Sequence, residues 1–256
     1  MSQRYSRAIV RKPCRNLHMG LTTAHLGPPD YHLALHQHGE YVQALQKCGL
    51  EVLVLEADER FPDSTFVEDT AVLLPECAIM ANPGALSRRG EVPPMREVLS
   101  EFFPEIWEIF EPGTLEGGDV LQIGDRFFVG ISGRTSEEGA RQFIERIGRY
   151  GYSGEVVPVD QGLHLKSSVN GLGTAYVLAT KNYAELPPFR EFEVIEVDEE
   201  EAYAANSLWI NGTVLVPAGF PRTKAKIARA GFSVLEVEVS EFRKLDGGLS
   251  CLSLRF

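Results

Sequence analysis

Three stretches of the chain repeat one order of apolar and polar positions. They are EDTAVLLPECAIMANPGALSRRGEVPPMREVLSEFFPEIWEIF, GGDVLQIGDRFFVGISGRTSEEGARQFIERIGRYGYSGEVVPV and AANSLWINGTVLVPAGFPRTKAKIARAGFSVLEVEV. Each opens with Asp or Asn beside a short apolar run. A tight turn follows, at Pro75-Glu76, Gly124-Asp125 or Asn211-Gly212, and then a second apolar run. Two such runs around such a turn predict a β-hairpin. A glycine then precedes an arginine by three or four residues: Gly84 and Arg88, Gly130 and Arg134, Gly219 and Arg222. A helical stretch and a short strand close each unit. In the middle unit Thr135 and Glu138 read as a capping box, and Ala140, Phe143, Ile144 and Ile147 form one apolar face. Gly151 stops that helix, as Gly231 does in the third unit.

The segment LHLKSSVNGLGTAYVLATKNYAELPPFREFEVIEVD fits as a fourth, looser unit, with Asn170-Gly171 near its turn. A fifth is split. Its helix runs from Tyr31 to Cys48, with Ala34, Leu35, His38, Tyr41, Val42 and Leu45 on one face, and leads into the strand EVLVLE. Its missing hairpin strand is supplied by SCLSLRF, which can pair beside RYSRAIV. The expected fold is therefore α/β: five ββαβ units in a ring, closed by pairing of the N- and C-terminal strands. No linker interrupts the pattern, so residues 1–256 read as one domain.

A ring brings equivalent positions toward its axis. The unit starts are marked by Glu68, Glu116, His164, Asn206 and Cys251, at spacings of 48, 48, 42 and 45 residues. With the neighbouring Asp69 and Asp119 they would share one cavity. A thiol, an imidazole and a carboxylate together can serve as nucleophile, proton carrier and orienting group. The remaining acids suit a cation. Arg88 and Arg134, farther along their units, suit an anionic group at the other end of a ligand. An amino acid of arginine's shape meets both demands. The plainer role for a lone Cys251 is a small buried hydrophobe in a final strand.

Composition narrows the classes of partner. Net charge is -11, with 44% apolar and 24% charged residues. That balance is ordinary for a globular protein, speaks against a nucleic-acid partner and mildly favours cationic ligands. No apolar run is long enough for a membrane span, and MSQRYSRAIVRKP lacks the apolar stretch of a signal peptide. Cys14, Cys48, Cys77 and Cys251 are too scattered for a disulfide framework or a zinc site, so a cytoplasmic protein with reduced thiols is expected. No metal-ligand spacing and no phosphate-binding glycine loop occurs, so neither a metal nor a cofactor is expected. His18, His32, His36 and His38 read as satisfied histidines, and the acid run at 198–202 as a solvated stretch.

Eight motifs carry a resemblance: LTTAHLGPPDY, DERFPDSTFVEDTAVL, GALSRRGE, LEGGDVLQIG, ISGRTSEEGARQ, LHLKS, YAANSLWIN and RKLDGGLSCLS. Together they run from residue 21 to near the end of the chain. The chain closely resembles the dimethylarginine dimethylaminohydrolases of the pentein, or guanidino-group-modifying, superfamily. The resemblance implies a five-bladed ββαβ propeller that hydrolyses dimethylarginine and monomethylarginine to citrulline without a cofactor. Cys251 is then the nucleophile, His164 the general acid and base, and Glu116 the acid that orients His164. Asp63, Glu68 and Asp69 hold the guanidinium and nearby amine groups. Arg88, in preference to Arg89, and Arg134 take the substrate-carboxylate and backbone-facing positions. Leu21 lies in a lid, and Leu245 offers its carbonyl to the substrate amine. Asn206 and Asp119 receive no role beyond a structural hydrogen bond. The resemblance leaves room for a homodimer. Two alternatives stay open. One is a related deiminase of free arginine or agmatine, against which stands the lack of a helical insertion. The other is an inactive propeller that only binds.

Overall fold

In the computed structural model the described residues are 4–160 and 162–256. Met1, Ser2 and Gln3, part of the opening segment read as free of a leader, lie outside them. Strand β1 (Arg7–Arg11), helix α1 (Tyr31–Lys47) and β2 (Glu51–Leu55) come first. Next are β3 (Ala71–Leu73), β4 (Ala78–Met80), α2 (Val92–Leu99) and β5 (Ile106–Glu108). The third group is β6 (Val120–Ile123), β7 (Arg126–Ile131), α3 (Glu137–Gly148) and β8 (Ser153–Pro158). The fourth is β9 (Val169–Leu172), β10 (Tyr176–Thr180), a one-turn α4 (Lys181–Ala184) and β11 (Glu193–Val197). The fifth is β12 (Leu208–Ile210), β13 (Thr213–Pro217), α5 (Pro221–Arg229) and β14 (Ser233–Val237), followed by α6 (Ser240–Arg243) and β15 (Leu254–Arg255).

These strands form five three-stranded sheets, four of consecutive strands and one ordered β15-β1-β2. In each, an antiparallel pair is extended by a parallel strand. The parallel step needs a crossover, and the helical segment of each unit supplies it. The ring closes as expected, with Ala8 opposite Arg255 and Ile9 opposite Leu254. Cys251 is not in that closing strand. It lies just before it, in the single 3-10 turn Ser250–Leu252.

Apolar burial explains why the units stay together. Five buried clusters are found among the described residues, and each draws on two neighbouring sheets. Ile79 and Ile109 pack with Phe127 and Phe143, for example, and Ile195 with Val214 and Ile227. Each seam is thus a core that neither blade could bury alone.

Some local expectations are corrected. Asn170-Gly171, expected near the turn of the fourth unit, lies within β9 just ahead of it, opposite Leu178 and Val177. The Asn170 amide donates to the carbonyls of Lys166 and Ala205, and Gly173 takes the turn with φ 72°. The cap of α3 is Ser136, whose hydroxyl accepts from the Gly139 amide, while Glu138 pairs with Arg141 and Gln142. On α1, Leu35 faces outward and Gln37 takes the buried place, donating to the Ser240 hydroxyl. Within the acid run, Glu201 is buried and accepts from the Arg222 and Thr223 amides, so it caps α5. His38 is buried with Nε2 unpartnered, and burial pushes it down to about 4. No helix of the described residues is long and apolar enough to cross a membrane.

Candidate active site

Each unit enters its first hairpin through a short 3-10 segment, a geometry that turns side chains inward within three or four residues. Val67–Thr70 carries Glu68 and Asp69; Gly117–Asp119 follows Glu116; Leu165–Ser167 follows His164; Ser250–Leu252 carries Cys251. These turns touch one another around the ring. The approach is close enough to exclude side chains at one point. A Cβ on Gly118 would lie 2.6 Å from His164 Nδ1 and 2.9 Å from Asp69 Oδ1.

A cavity of about 350 Å³ gathers Cys251, His164, Glu116, Leu21, Asp63, Asp69, Arg88, Arg134 and Leu245. Nine of the ten predicted side chains therefore meet there. Glu68 does not. It lines a separate cavity of about 800 Å³, together with Lys166, Asn170, Ser250 and Arg255. There it accepts from Lys166 (2.6 Å), Arg255 (2.8 Å) and the Ser250 hydroxyl (2.8 Å). Its carboxylate is thus already paired with two cations.

His164 Nε2 and Glu116 Oε2 are 2.7 Å apart, and both residues are buried. Glu116 also accepts from the Ala85 amide at 3.0 Å and lies 3.4 Å from Arg134. Burial works against both charges. For Glu116 the bond to His164 outweighs it and holds the carboxyl at about 2. For His164 the charge of Asp69 and the bond to Glu116 outweigh it and raise the imidazole to about 9. The pair therefore stands as carboxylate and imidazolium at neutral pH. Asp119, fully buried, holds the turn behind them: it accepts from the Leu165 amide at 2.9 Å and from the Ser132 hydroxyl at 2.7 Å.

Cys251 is partly exposed, and the Gly248 amide points at its sulfur from 3.4 Å. Burial and the nearby Glu68 and Asp69 push its thiol up to about 12. The resting residue is a thiol, so the site needs incoming positive charge to make it a nucleophile. Gly247 and Gly248 pack against Phe66 and Asn206. Their small size thus serves a tight turn behind the cysteine as well as the cavity wall that Gly247 helps to form.

Asp69 and Asp63 supply negative charge. Asp69 accepts from the Gly118 amide at 2.8 Å and from Arg88 at 2.5 Å, and lies 3.9 Å from His164. Asp63 accepts from the Leu21 amide at 3.0 Å, and burial raises it despite the charge of Arg88. Leu21 thus reaches the cavity on a segment held down by an acid. Arg88 is buried and heavily bonded, to Glu91, Asp69 and the Phe66 carbonyl. Arg89 points elsewhere, to Glu111 and the Pro83 carbonyl. Arg134 is the less committed cation, with Glu116 as its ionic partner.

Asp69, Glu116 and His164 could together offer three ligand atoms within 4.8 Å to a metal ion, a grouping that the sequence spacing did not suggest. Their atoms are also engaged with one another, Arg88 and Gly118. Sequence reasoning missed Glu91, Lys166 and Arg255. Glu91 could have been found from its position three residues after Arg88, a spacing that favours ion pairs on a helical turn. Lys166 and Arg255 sit beside the turns that carry His164 and Cys251 but line the other cavity, and nothing in the linear sequence separates the two faces.

Comparison with known proteins gives a consistent result. A family model described as N,N dimethylarginine dimethylhydrolase, eukaryotic, matches residues 30–185. The N(G),N(G)-dimethylarginine dimethylaminohydrolase of Pseudomonas aeruginosa is 49% identical over 98% of this chain and 100% of its own. The enzyme of that name from Streptomyces coelicolor is 37% identical over 97% of this chain and 96% of its own. A solved structure of the Pseudomonas enzyme, a cysteine-to-serine variant complexed with citrulline, superposes with a TM-score of 0.98 at 48% identity, covering 99% of this chain and all of that one. The N-terminal domain of a cyanobacterial arginine dihydrolase, 20% identical with a TM-score of 0.86, shares the fold. The five-bladed ring, its thiol, imidazole and carboxylates, and a likeness that spans both chains from end to end place this protein in the dimethylarginine dimethylaminohydrolase family.

Proposed function

We propose that the protein hydrolyses Nω,Nω-dimethyl-L-arginine and Nω-methyl-L-arginine to L-citrulline, releasing dimethylamine or methylamine. One observation carries the reading: Cys251, the His164–Glu116 ion pair and the acids Asp63 and Asp69 line a single small cavity. The substrate guanidinium sits against Asp69 and Asp63, its carboxylate end reaches Arg134 and the free edge of Arg88, and its amine meets the Leu245 carbonyl. Glu68 contributes from behind, through Ser250 in the cysteine's own turn.

Charge decides when the thiol becomes reactive. Moving it from about 12 to about 7 requires ~7 kcal/mol of favourable interaction. One charge about 4 Å away supplies about 4 kcal/mol at a protein-like effective dielectric. The incoming guanidinium therefore supplies more than half of it, beside an imidazolium already in place, and the thiol proton leaves to solvent as the substrate enters. The thiolate adds to the central guanidinium carbon. The amine leaves with the proton of His164, giving a thiouronium-type intermediate on Cys251. Neutral His164 then takes a proton from water and the resulting hydroxide adds to the same carbon; the C–S bond breaks as the new hydroxyl's proton passes to the departing sulfur, which leaves citrulline, the Cys251 thiol and protonated His164.

The deciding experiment is product analysis of purified protein with dimethylarginine, arginine and agmatine in turn. Citrulline formed faster from dimethylarginine supports the reading; faster turnover of arginine or agmatine makes the protein a deiminase.

The same reading takes residues 1–256 as one domain, since every apolar seam belongs to two blades; Met1 to Gln3 and Gln161 lie outside the described residues. It places the protein in the cytoplasm, with its four cysteines all unpaired. It leaves room for a homodimer, which sedimentation would detect.

A further inference from the structure

Glu91 does not line the cavity, yet it is buried and grips Arg88 at two points, Nε to Oε1 at 3.1 Å and Nη2 to Oε2 at 2.8 Å. Nη2 also donates to the Phe66 carbonyl at 2.8 Å, and Nη1 to Asp69 at 2.5 Å. A guanidinium has five N–H donors, so these bonds occupy all but one. Arg88 is locked by Glu91 from the outside and locks Asp69 on the inside. Its positive charge stands next to the place where a cationic ligand must sit.

The charges facing the cavity are Asp63, Asp69, Glu116 and Asp246 against Arg88, Arg134 and protonated His164. That is a formal surplus of one negative charge, and Glu91 makes it two. We infer that Glu91 is a positioning residue for the proposed reaction: it cancels the charge of Arg88, so that the cavity discriminates in favour of a guanidinium over a neutral ureido group. The inference rests on the hydrolase reading and concerns its selectivity. Burial pushes Glu91 up to about 7, against the pull of Arg88. The charged groups around it are Arg88, Asp63, Asp69 and, farther off, Arg11. An assay at about pH 8.5 keeps it ionised.

The test compares a cationic with a neutral ligand. Glu91→Gln keeps the shape and one acceptor but removes the charge. In a Cys251→Ser background, calorimetry at pH 8.5 gives the affinities for dimethylarginine and for citrulline. The expected result is ~10-fold weaker binding of dimethylarginine and less than about twofold change for citrulline. Equal losses for both ligands, or no loss for either, overturn the inference. Glu91→Asp retains the charge and must keep the wild-type ratio of the two affinities. A changed ratio there overturns the inference even if Glu91→Gln fails to fold. If the protein proves to act on arginine or agmatine, the hydrolase reading falls, and that guanidine replaces dimethylarginine in the same comparison.

Discussion

Asn206 and Ser250 hold each other by two hydrogen bonds. The Ser250 amide donates to Asn206 Oδ1 at 3.0 Å, and Asn206 Nδ2 donates to the Ser250 hydroxyl at 3.1 Å. The same Nδ2 donates to the Lys166 carbonyl at 2.9 Å. One amide thus ties the turn after His164 to the turn that carries Cys251. Replacing it should misplace Cys251 against His164, the proton donor of the proposed reaction. We expect Asn206→Ala to lower kcat ~10- to 100-fold with a much smaller change in KM, because small misplacements of reacting groups cost rate. Steady-state kinetics on folded protein checks this; a change confined to KM would remove the tie from the mechanism.

Cys251→Ser should retain substrate binding and lose turnover by several orders of magnitude. Mass spectrometry of wild-type protein quenched during turnover should find a guanidine-derived adduct on the peptide containing Cys251. Undiminished turnover in the variant would exclude this thiol as the nucleophile.

The reactive form needs Cys251 deprotonated and His164 protonated. With the thiol near 12 and the imidazole near 9, that form gains about tenfold per pH unit until His164 begins to lose its proton. We expect kcat/KM to climb from about pH 6 to about 9 and then to level off. A profile already flat at pH 6 would contradict the assignment.

Stability should carry the signature of the ion pair. Glu116 is lowered from 4.5 to about 2, so its contribution is in place above 4.5 and is lost as pH falls toward 2. His164 is raised from 6.5 to about 9, so its contribution is in place below 6.5 and is lost as pH rises through 9. Both are present together between 4.5 and 6.5. Wild-type protein should exceed Glu116→Gln in thermal stability there, and the gap should narrow between pH 6.5 and 9. Thermal melts across that range measure the difference; a constant gap would place the charge of the pair elsewhere.

The ring was legible because its unit repeats: hairpin turns at Gly124-Asp125 and Asn211-Gly212 fall where the apolar pattern puts them. The meeting of Glu116, His164 and Cys251 followed from that repeat. What escaped was everything decided by which face of a turn a side chain takes. Glu68 and Asp69 are neighbours in sequence, yet they line different cavities. Asn170-Gly171 marks the right hairpin, but the turn falls two residues later, at Gly173, and the Asn170 side chain bonds the Lys166 and Ala205 carbonyls. Arg88, expected to clamp a ligand, gives most of its bonds to the protein, because Leu86–Glu91 coils into a 3-10 helix that brings Glu91 onto its guanidinium.

Pairing β1 with β15 joins the most distant parts of the described chain, with the Ser6 and Arg7 amides both bonded to the Phe256 carbonyl. Contacts of such separation carry the largest loop-closure cost in folding. The turn that carries the thiol directly precedes β15 and packs on the Val67–Thr70 turn, so the thiol takes its place as this end of the chain docks. A chain whose β15 has not docked would thus keep most of its secondary structure and yet lack an assembled thiol, so recovery of activity on refolding should follow the last long-range contact and not the gain of secondary structure.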